Sequence, residues 1–324
     1  GRVYGYDRIA PALPGRRQQR WTAARPSVDR RLDAVREVLA GAGFSETWTP
    51  ALVAYRDLEE LGLAERALRI GNPISDEMDA LRTSLVPSLL QGLELNRNHG
   101  RADARLFELA AAFLGRGDGE QPDEPLRLGA VMPASADDGR AAFLRVKAVL
   151  DRCARALGAP ALAYVAGRGV LHHPGRCATV SLAGEAIGLL GEAHPRVADR
   201  YGLEGRVVIL EVDLEPLLAA GAPVRAVTLP RFPAVDRDLN VVVEDGDPAA
   251  AVIATAAAAG GDTLESVKAV DEYHGQQVQP GYKSLNLALV FRDPERTLTD
   301  AEVDETMNEI RAALKSRHGA SFRG

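Results

Sequence analysis

Ser284-Leu-Asn-Leu-Ala-Leu-Val-Phe291 decides the fold of the C-terminal third of this chain. Leu285, Leu287, Leu289 and Phe291 alternate with Ser284, Asn286, Ala288 and Val290, the period of a strand with one core face and one polar or small face. Outward from it, residues 239–243 and 267–273 read as two more strands and residues 248–260 and 299–316 as helices. Ser321-Phe322 reads as a short closing strand, and the resulting order, βαββαβ, is the ferredoxin-like arrangement. Asp247-Pro248 is expected to open the first helix as N-cap and first helical residue, and Thr299-Asp-Ala-Glu302 has capping-box spacing before the second. Two helices cover one face of such a sheet and leave the other open. On that open face the alternation places Ser284, Asp271 and Tyr273, with Asn240 opposite Leu239 and Val241. The apolar residues of 267–270 fall on both faces, which predicts either a bulge or burial at the strand end.

The preceding two thirds read as α+β. Leu32, Val35, Val38 and Leu39 recur at helical spacing over residues 28–40, with Gly41 and Gly43 as the stop. Residues 44–50 read as a strand halted by Pro50, and residues 85–96 as a helix with Pro87 in its first turn. A buried strand or the join of two over 106–114, a loop over 115–125 and a strand over 126–132 follow. Residues 142–157 read as a helix burying Leu144, Val146, Val149 and Leu150, and residues 178–190 as a hairpin turning at Ala183-Gly184. This is not a run of parallel βαβ units.

A chain of 324 residues exceeds one core, and 46% apolar with 26% charged residues is a globular composition. The longest apolar stretch, residues 249–259, is too short to cross a bilayer, so no membrane partner is expected. Cys153 and Cys177 are too few for a disulfide framework, and the first residues are not those of a secretion signal, so a reducing cytoplasm is the expected setting. Both cysteines are expected to be buried as small apolar residues. The net charge of -6 is carried by residues 229–324, with 10 Lys+Arg against 16 Asp+Glu. Residues 1–31 hold eight Arg and two Asp, a patch that suits either a nucleic-acid contact or a solvated linker.

Several separated strings then match one family in order. Arg2-Val-Tyr-Gly-Tyr-Asp7, Leu81-Arg-Thr-Ser-Leu-Val-Pro-Ser-Leu-Leu90, Arg105-Leu-Phe-Glu108, His173-Pro-Gly-Arg176 and Ile187-Gly-Leu-Leu-Gly-Glu-Ala-His-Pro195 lie in the first part. Phe232-Pro-Ala-Val-Asp-Arg-Asp-Leu239, Asp271-Glu-Tyr273, Lys283-Ser284 and Arg296-Thr-Leu-Thr-Asp300 lie in the second. Together they resemble the phenylalanyl-tRNA synthetase beta subunit. The resemblance implies three parts: residues 1–19, the tail of a winged-helix-like module with a linker; 20–225, an inactive class II synthetase-like antiparallel sheet module; and 226–324, a ferredoxin-fold anticodon-binding domain. It implies that further modules and an acidic magnesium-binding cluster precede Gly1, and that this fragment holds no metal or cofactor, ATP and magnesium serving the whole enzyme. The implied partners are the catalytic alpha subunit, in an assembly of two alpha and two beta chains, and phenylalanine tRNA.

The helix, glycine, strand and Pro50 resemble motif 1 of class II synthetases, an interface element. Adenylate formation needs positive charge held on ATP phosphates, and class II enzymes place an Arg two residues before an acidic residue in motif 2 and an Arg on a helix in motif 3. Here Arg105 stands three residues before Glu108, on the opposite strand face, and Gly184, Gly188 and Gly191 lead to Glu192 and His194. No catalytic residue is therefore expected, and some of the apolar surface of residues 32–39 and 85–93 is expected to dock the alpha subunit. An independently active ligase fits poorly, while a free-standing RNA-binding or ligand-sensing protein is the rival of a different class.

His172-His173 lacks the neighbours of a metal site, His99, His274 and His318 are expected in solvent or at element ends, and His194-Pro195 in a turn. A Tyr on an open sheet can stack on an unpaired base, an Asp can accept from base amino and imino groups, and a Ser can do either. The resemblance assigns Asp271, Tyr273 and Ser284 to the anticodon, with Asn240, at a position commonly alanine in the family, approaching it. Arg237-Asp238 is expected to pair internally.

Overall fold

The computed structural model describes residues 2–3, 5–8, 27–117, 119–222, 229–275 and 278–323. Most of the tail and linker read over residues 1–19, the arginines between 16 and 25, and the 225/226 boundary lie outside the described residues. The chain divides into two compact units, Gly1–Val224 and Arg225–Gly324.

The first unit contains α1 (Ser27–Gly41), β1 (Ser45–Glu46), β2 (Leu52–Val53), α2 (Tyr55–Glu60), β3 (Ala80–Leu81), α3 (Val86–Asn98), β4 (Leu106–Ala111), β5 (Leu126–Ala134) and α4 (Gly139–Leu157). It continues through β6 (Leu162–Ala166), β7 (His172–Leu182), β8 (Glu185–Ala193), α5 (Pro195–Arg200), β9 (Arg206–Asp213) and α6 (Glu215–Ala220). Seven strands form one sheet in the order β1-β4-β5-β9-β8-β7-β6, antiparallel except where β1 runs parallel to β4. Strand alternation sends Leu128, Ala130, Leu210 and Val212 to one core with α1, α4 and α6. It sends Val131, Val207 and Ile209 to a second core with α3 and α5. The sheet is thus covered on both sides, which is why β5 and β9 read as nearly continuous apolar runs. The β7–β8 hairpin turns at Ala183 and Gly184, both with positive φ (51° and 91°), the geometry of a tight turn matched to strand twist.

Several expectations are corrected here. The strand over 44–50 contracts to β1, the two residues that pair in parallel register with β4, and the strand over 106–114 ends at Ala111. Leu144 is 48% exposed, because the buried stripe of α4 runs through Ala142, Val146, Val149, Leu150, Cys153 and Leu157, and Leu144 lies off it. Cys177 is only half-buried, whereas Cys153 is buried. The surface expected to dock a subunit is largely private core: Val35, Leu39, Leu85, Leu89, Leu90 and Leu93 are all buried within the unit, and Leu32 and Val38 pack against the same core.

The second unit contains β10 (Val235–Glu244), α7 (Ala249–Ala259), β11 (Leu264–Tyr273), β12 (Tyr282–Phe291), α8 (Asp300–His318) and β13 (Ser321–Arg323). Its sheet order is β11-β12-β10-β13, all antiparallel. Leu239, Val241, Val243, Leu285, Leu287, Leu289 and Phe291 form its core with Val252, Ala256, Val303, Met307, Ile310 and Leu314 from the two helices. Thr299 and Glu302 make the reciprocal capping box, and Arg296 reinforces it by pairing with Glu302 at 2.7 Å. That guanidinium and the Thr299 bonds hold the Glu302 carboxyl down to about 2.

Asp247 is not the N-cap of α7; Pro248 occupies that position, and the Asp247 carboxylate bonds instead to His318 Nδ1 at 3.0 Å. His318 stands at an element end, as the last residue of α8, but is buried: its side chain is 6% exposed, and its Nε2 meets Thr255 Oγ1 at 2.9 Å. It ties the end of α8 to the start of α7. Arg237 pairs with Asp300 at 2.7 Å, not with Asp238, because successive strand residues point to opposite faces. Among the described residues no helix is long and apolar enough to cross a membrane, and no cluster of His, Cys, Asp or Glu could hold a metal ion.

Candidate nucleic-acid interface

The open face of the four-stranded sheet carries the sequence-predicted residues together. Across β10, β12 and β11 one row reads Asn240, Asn286, Asp271, and the next reads Val242, Ser284, Tyr273. Directly paired residues of antiparallel strands share a face, so Asp271, Tyr273, Ser284 and Asn240 all project to the side away from α7 and α8. A third row, Asp238, Ala288 and Lys268, extends it.

One backbone feature creates this arrangement. The pairing of β11 with β12 shifts between Ala269 and Asp271, leaving Val270 as an extra residue. Lys268 and Asp271, three residues apart, therefore face the same side; without the extra residue Glu272 would take that face and Asp271 and Tyr273 would turn into the core. Val270 is accordingly exposed.

The polar groups of this face are unspent. Asn240, Tyr273, Ser284 and Asn286 make no side-chain hydrogen bond among the described residues, although Asn286 Oδ1 is buried. Asp271 Oδ1 accepts only from the Glu272 amide, at 2.9 Å. Tyr273 is 45% exposed. Sequence reading assigned Asn286 to this face but gave it no role; its position between Asn240 and Asp271 is a matter of register, which alternation within one strand does not reveal. His274 stands at the rim, its Nε2 2.7 Å from Glu272 and its Nδ1 3.3 Å from Asp245.

The first unit is the opposite case, because its buried charges are committed to holding the fold. Arg82 and Glu108, 5% and 1% exposed, pair at 3.0 Å; Thr49 Oγ1 donates to Glu108 at 2.6 Å, and Arg82 Nε donates to the Ala111 carbonyl at 3.1 Å. Two of the strings behind the family resemblance, together with Thr49 of the motif 1-like stretch, therefore meet at one buried knot, a long-range relation that sequence reading missed. Arg105 donates to the Ala42 carbonyl at 3.4 Å. Glu211 accepts from the Leu85 amide at 2.6 Å, Ser84 Oγ at 3.0 Å and Arg127 at 3.1 Å. Burial pushes the Glu211 carboxyl up, against the pull of Arg127. Glu192 is buried between Arg176 and Arg206, and His194 caps α5 by accepting from the Arg196 amide. His172 is buried, with neither ring nitrogen hydrogen-bonded, and burial pushes it down to about 4 against a weaker pull from the Ile209 backbone. Arg105 and Glu108, the residues nearest to a motif 2 pattern, are thus both engaged within the fold.

The chain matches two family models: the phenylalanyl tRNA synthetase beta chain CLM domain over residues 16–214, and the ferredoxin-fold anticodon binding domain over residues 230–323. Among curated relatives, the phenylalanine--tRNA ligase beta subunit of Moorella thermoacetica is 37% identical, covering 99% of this chain and 41% of the relative. That of Symbiobacterium thermophilum is 38% identical over 99% of this chain and 37% of its own length, and that of Anaeromyxobacter dehalogenans 40% identical over 100% and 42%. The chain thus spans roughly two fifths of the relatives it matches. A pyrrolysyl-tRNA synthetase from Desulfitobacterium hafniense shares the fold at a TM-score of 0.51 and 17% identity, covering 62% of this chain and 69% of that one.

Proposed function

Because the chain belongs to the phenylalanyl-tRNA synthetase beta-chain family, we propose that it forms the non-catalytic body and the anticodon grip of a phenylalanine-tRNA ligase. The single observation that carries the anticodon role is the open sheet face, where polar and aromatic side chains stand without partners while the buried charges of the first unit are spent. Tyr273 stacks on an anticodon base, Asp271 accepts from base N–H groups, and Ser284 and Asn240 supply hydrogen bonds on either side. Residues 229–323 carry a net negative charge, so recognition rests on short-range stacking and hydrogen bonds, with phosphate attraction supplied elsewhere in the assembly.

The first unit docks the catalytic alpha subunit, two alpha and two beta chains forming the enzyme in the cytoplasm, and ATP and magnesium act on the alpha side. Val35, Leu39, Leu85, Leu89, Leu90 and Leu93 are buried within the unit, so docking uses residues other than these. Size-exclusion chromatography of this chain with an alpha subunit tests the partnership: a co-eluting complex with phenylalanine-dependent pyrophosphate exchange only when alpha is present is expected. Exchange by this chain alone, or two separate peaks, would overturn the assignment.

A further inference from the structure

We infer that the first unit holds a binding site of its own: the cavity at the start of α4 takes a small organic anion, its charged end clamped by Arg176 and Arg206 and its apolar body set beside Phe143 and Ala178. The cavity, about 310 Å³ and near the lower end of the range for small-molecule sites, is lined by Gly139, Phe143, Arg176, Ala178, Glu192 and Arg206, with Arg140 also at its border. Two of the strings singled out in the sequence, His173-Pro-Gly-Arg176 and residues 187–195, meet at this cavity, and the anticodon role uses neither. The site is independent of that role.

Between His172, which pairs with Ala193, and Cys177, which pairs with Gly191, four residues of β7 stand opposite the single residue Glu192. A bulge re-aims the side chains it carries, and this one returns Arg176 to Glu192. Arg176 Nε donates to Glu192 Oε2, and Arg206 Nη1 donates to Oε1 at 3.0 Å. One carboxylate, itself 6% exposed, thus fixes two guanidiniums side by side. Their other nitrogens, Arg176 Nη1 and Nη2 and Arg206 Nε and Nη2, have no protein partner among the described residues, and the two side chains are 44% and 36% exposed. Among the described residues that line the cavity Glu192 alone is acidic, so positive charge is in excess there. A guanidinium fork matches the paired oxygens of a carboxylate or phosphate, and a fork already held by a buried partner loses little freedom on binding. An amine would meet like charge, and a hydroxyl would forgo the charge-assisted bonds. The helix reaches this cluster because residue 139 is glycine: a β-carbon there would stand 2.5 Å from Glu192 Oε1 and 2.7 Å from Arg206 Nη1.

The test titrates this chain with 3-phenylpropanoate, 3-phenylpropanol and 3-phenylpropylamine, one apolar body with three head groups, by calorimetry, and maps the bound anion by backbone amide chemical shifts. 3-Phenylpropanoate should bind saturably with a Kd of about 1 mM or below, the alcohol about tenfold more weakly and the amine not at all. The amide shifts should centre on residues 139–143 and 175–178. Arg176→Gln, which leaves Glu192 paired with Arg206, should weaken the anion about tenfold, and Arg176→Lys, which keeps the charge without the fork, should fall between the two. On the wild-type chain, no saturable binding of the anion up to about 10 mM, equal affinity for the three head groups, or amide shifts centred elsewhere would each overturn the site, whatever the variants do. Undiminished affinity in an Arg176→Gln protein that melts at the wild-type temperature would overturn the arginine clamp.

Discussion

The ring of Tyr273 lies against the backbone of Gly275: a β-carbon on Gly275 would stand 2.5 Å from Tyr273 Cζ and 3.0 Å from Cε1. Only a residue without a side chain lets the phenol rest there. Gly275→Ala should displace the ring without unfolding the unit, since the far end of a side chain can move, and should weaken anticodon-loop binding toward the level of Tyr273→Ala. Chemical shifts of the Tyr273 ring and RNA titrations on the same samples check this; full RNA affinity with a displaced ring would remove Tyr273 from the interface.

The Arg82–Glu108 pair supports a stability prediction. Removing one member of a buried pair leaves a charge without compensation, which costs about 3–5 kcal/mol. Arg82→Met should lower unfolding stability by about that amount, and Arg82→Met with Glu108→Leu should recover part of it, because neither charge is then buried alone. Urea unfolding of the three proteins decides it; a single variant within about 0.5 kcal/mol of wild type would mean that the pair is not carrying this part of the fold.

His172 sets an acid limit on the first unit. Its folded value of about 4 lies below the ordinary 6.5, so between those values the unfolded chain binds the proton and the folded one does not. The stabilising contribution is complete above 6.5 and is lost as pH falls toward 4, by at most about 3 kcal/mol at 1.36 kcal/mol per unit. His172→Phe should flatten the stability profile across this window in urea titrations. An unaltered acid slope would place the acid sensitivity elsewhere.

Local signals in the sequence were legible where one short stretch determines the geometry. Ala183-Gly184 specified its turn and Thr299 and Glu302 their capping box, while the apolar mismatch of residues 267–270 fitted a bulge or end burial, and the cross-strand register makes it the bulge that aims Asp271 and Tyr273. What failed to show depended on distant partners. Helical periodicity marks α1 and α3 as having an apolar face but not what covers it, and the answer was the unit's own sheet. Asp247 had the sequence context of a helix cap, yet His318, 71 residues later, took its carboxylate. Asn286 was placed on the correct face, but its pairing with Asn240 and Asp271 is fixed by register across three strands.

The most direct measurement is steady-state charging of phenylalanine tRNA by an alpha subunit assembled with a full-length beta subunit carrying this segment, wild type against Tyr273→Ala. A stacking contact is worth roughly 1–3 kcal/mol, so kcat/KM for the tRNA should fall about ten- to hundredfold. Pyrophosphate exchange, which needs no tRNA, should be unchanged, and the penalty for an anticodon-substituted tRNA should shrink in the variant. A folded Tyr273→Ala enzyme that charges tRNA at the wild-type rate and rejects anticodon-substituted tRNA as before would contradict the assignment of the open sheet face to the anticodon.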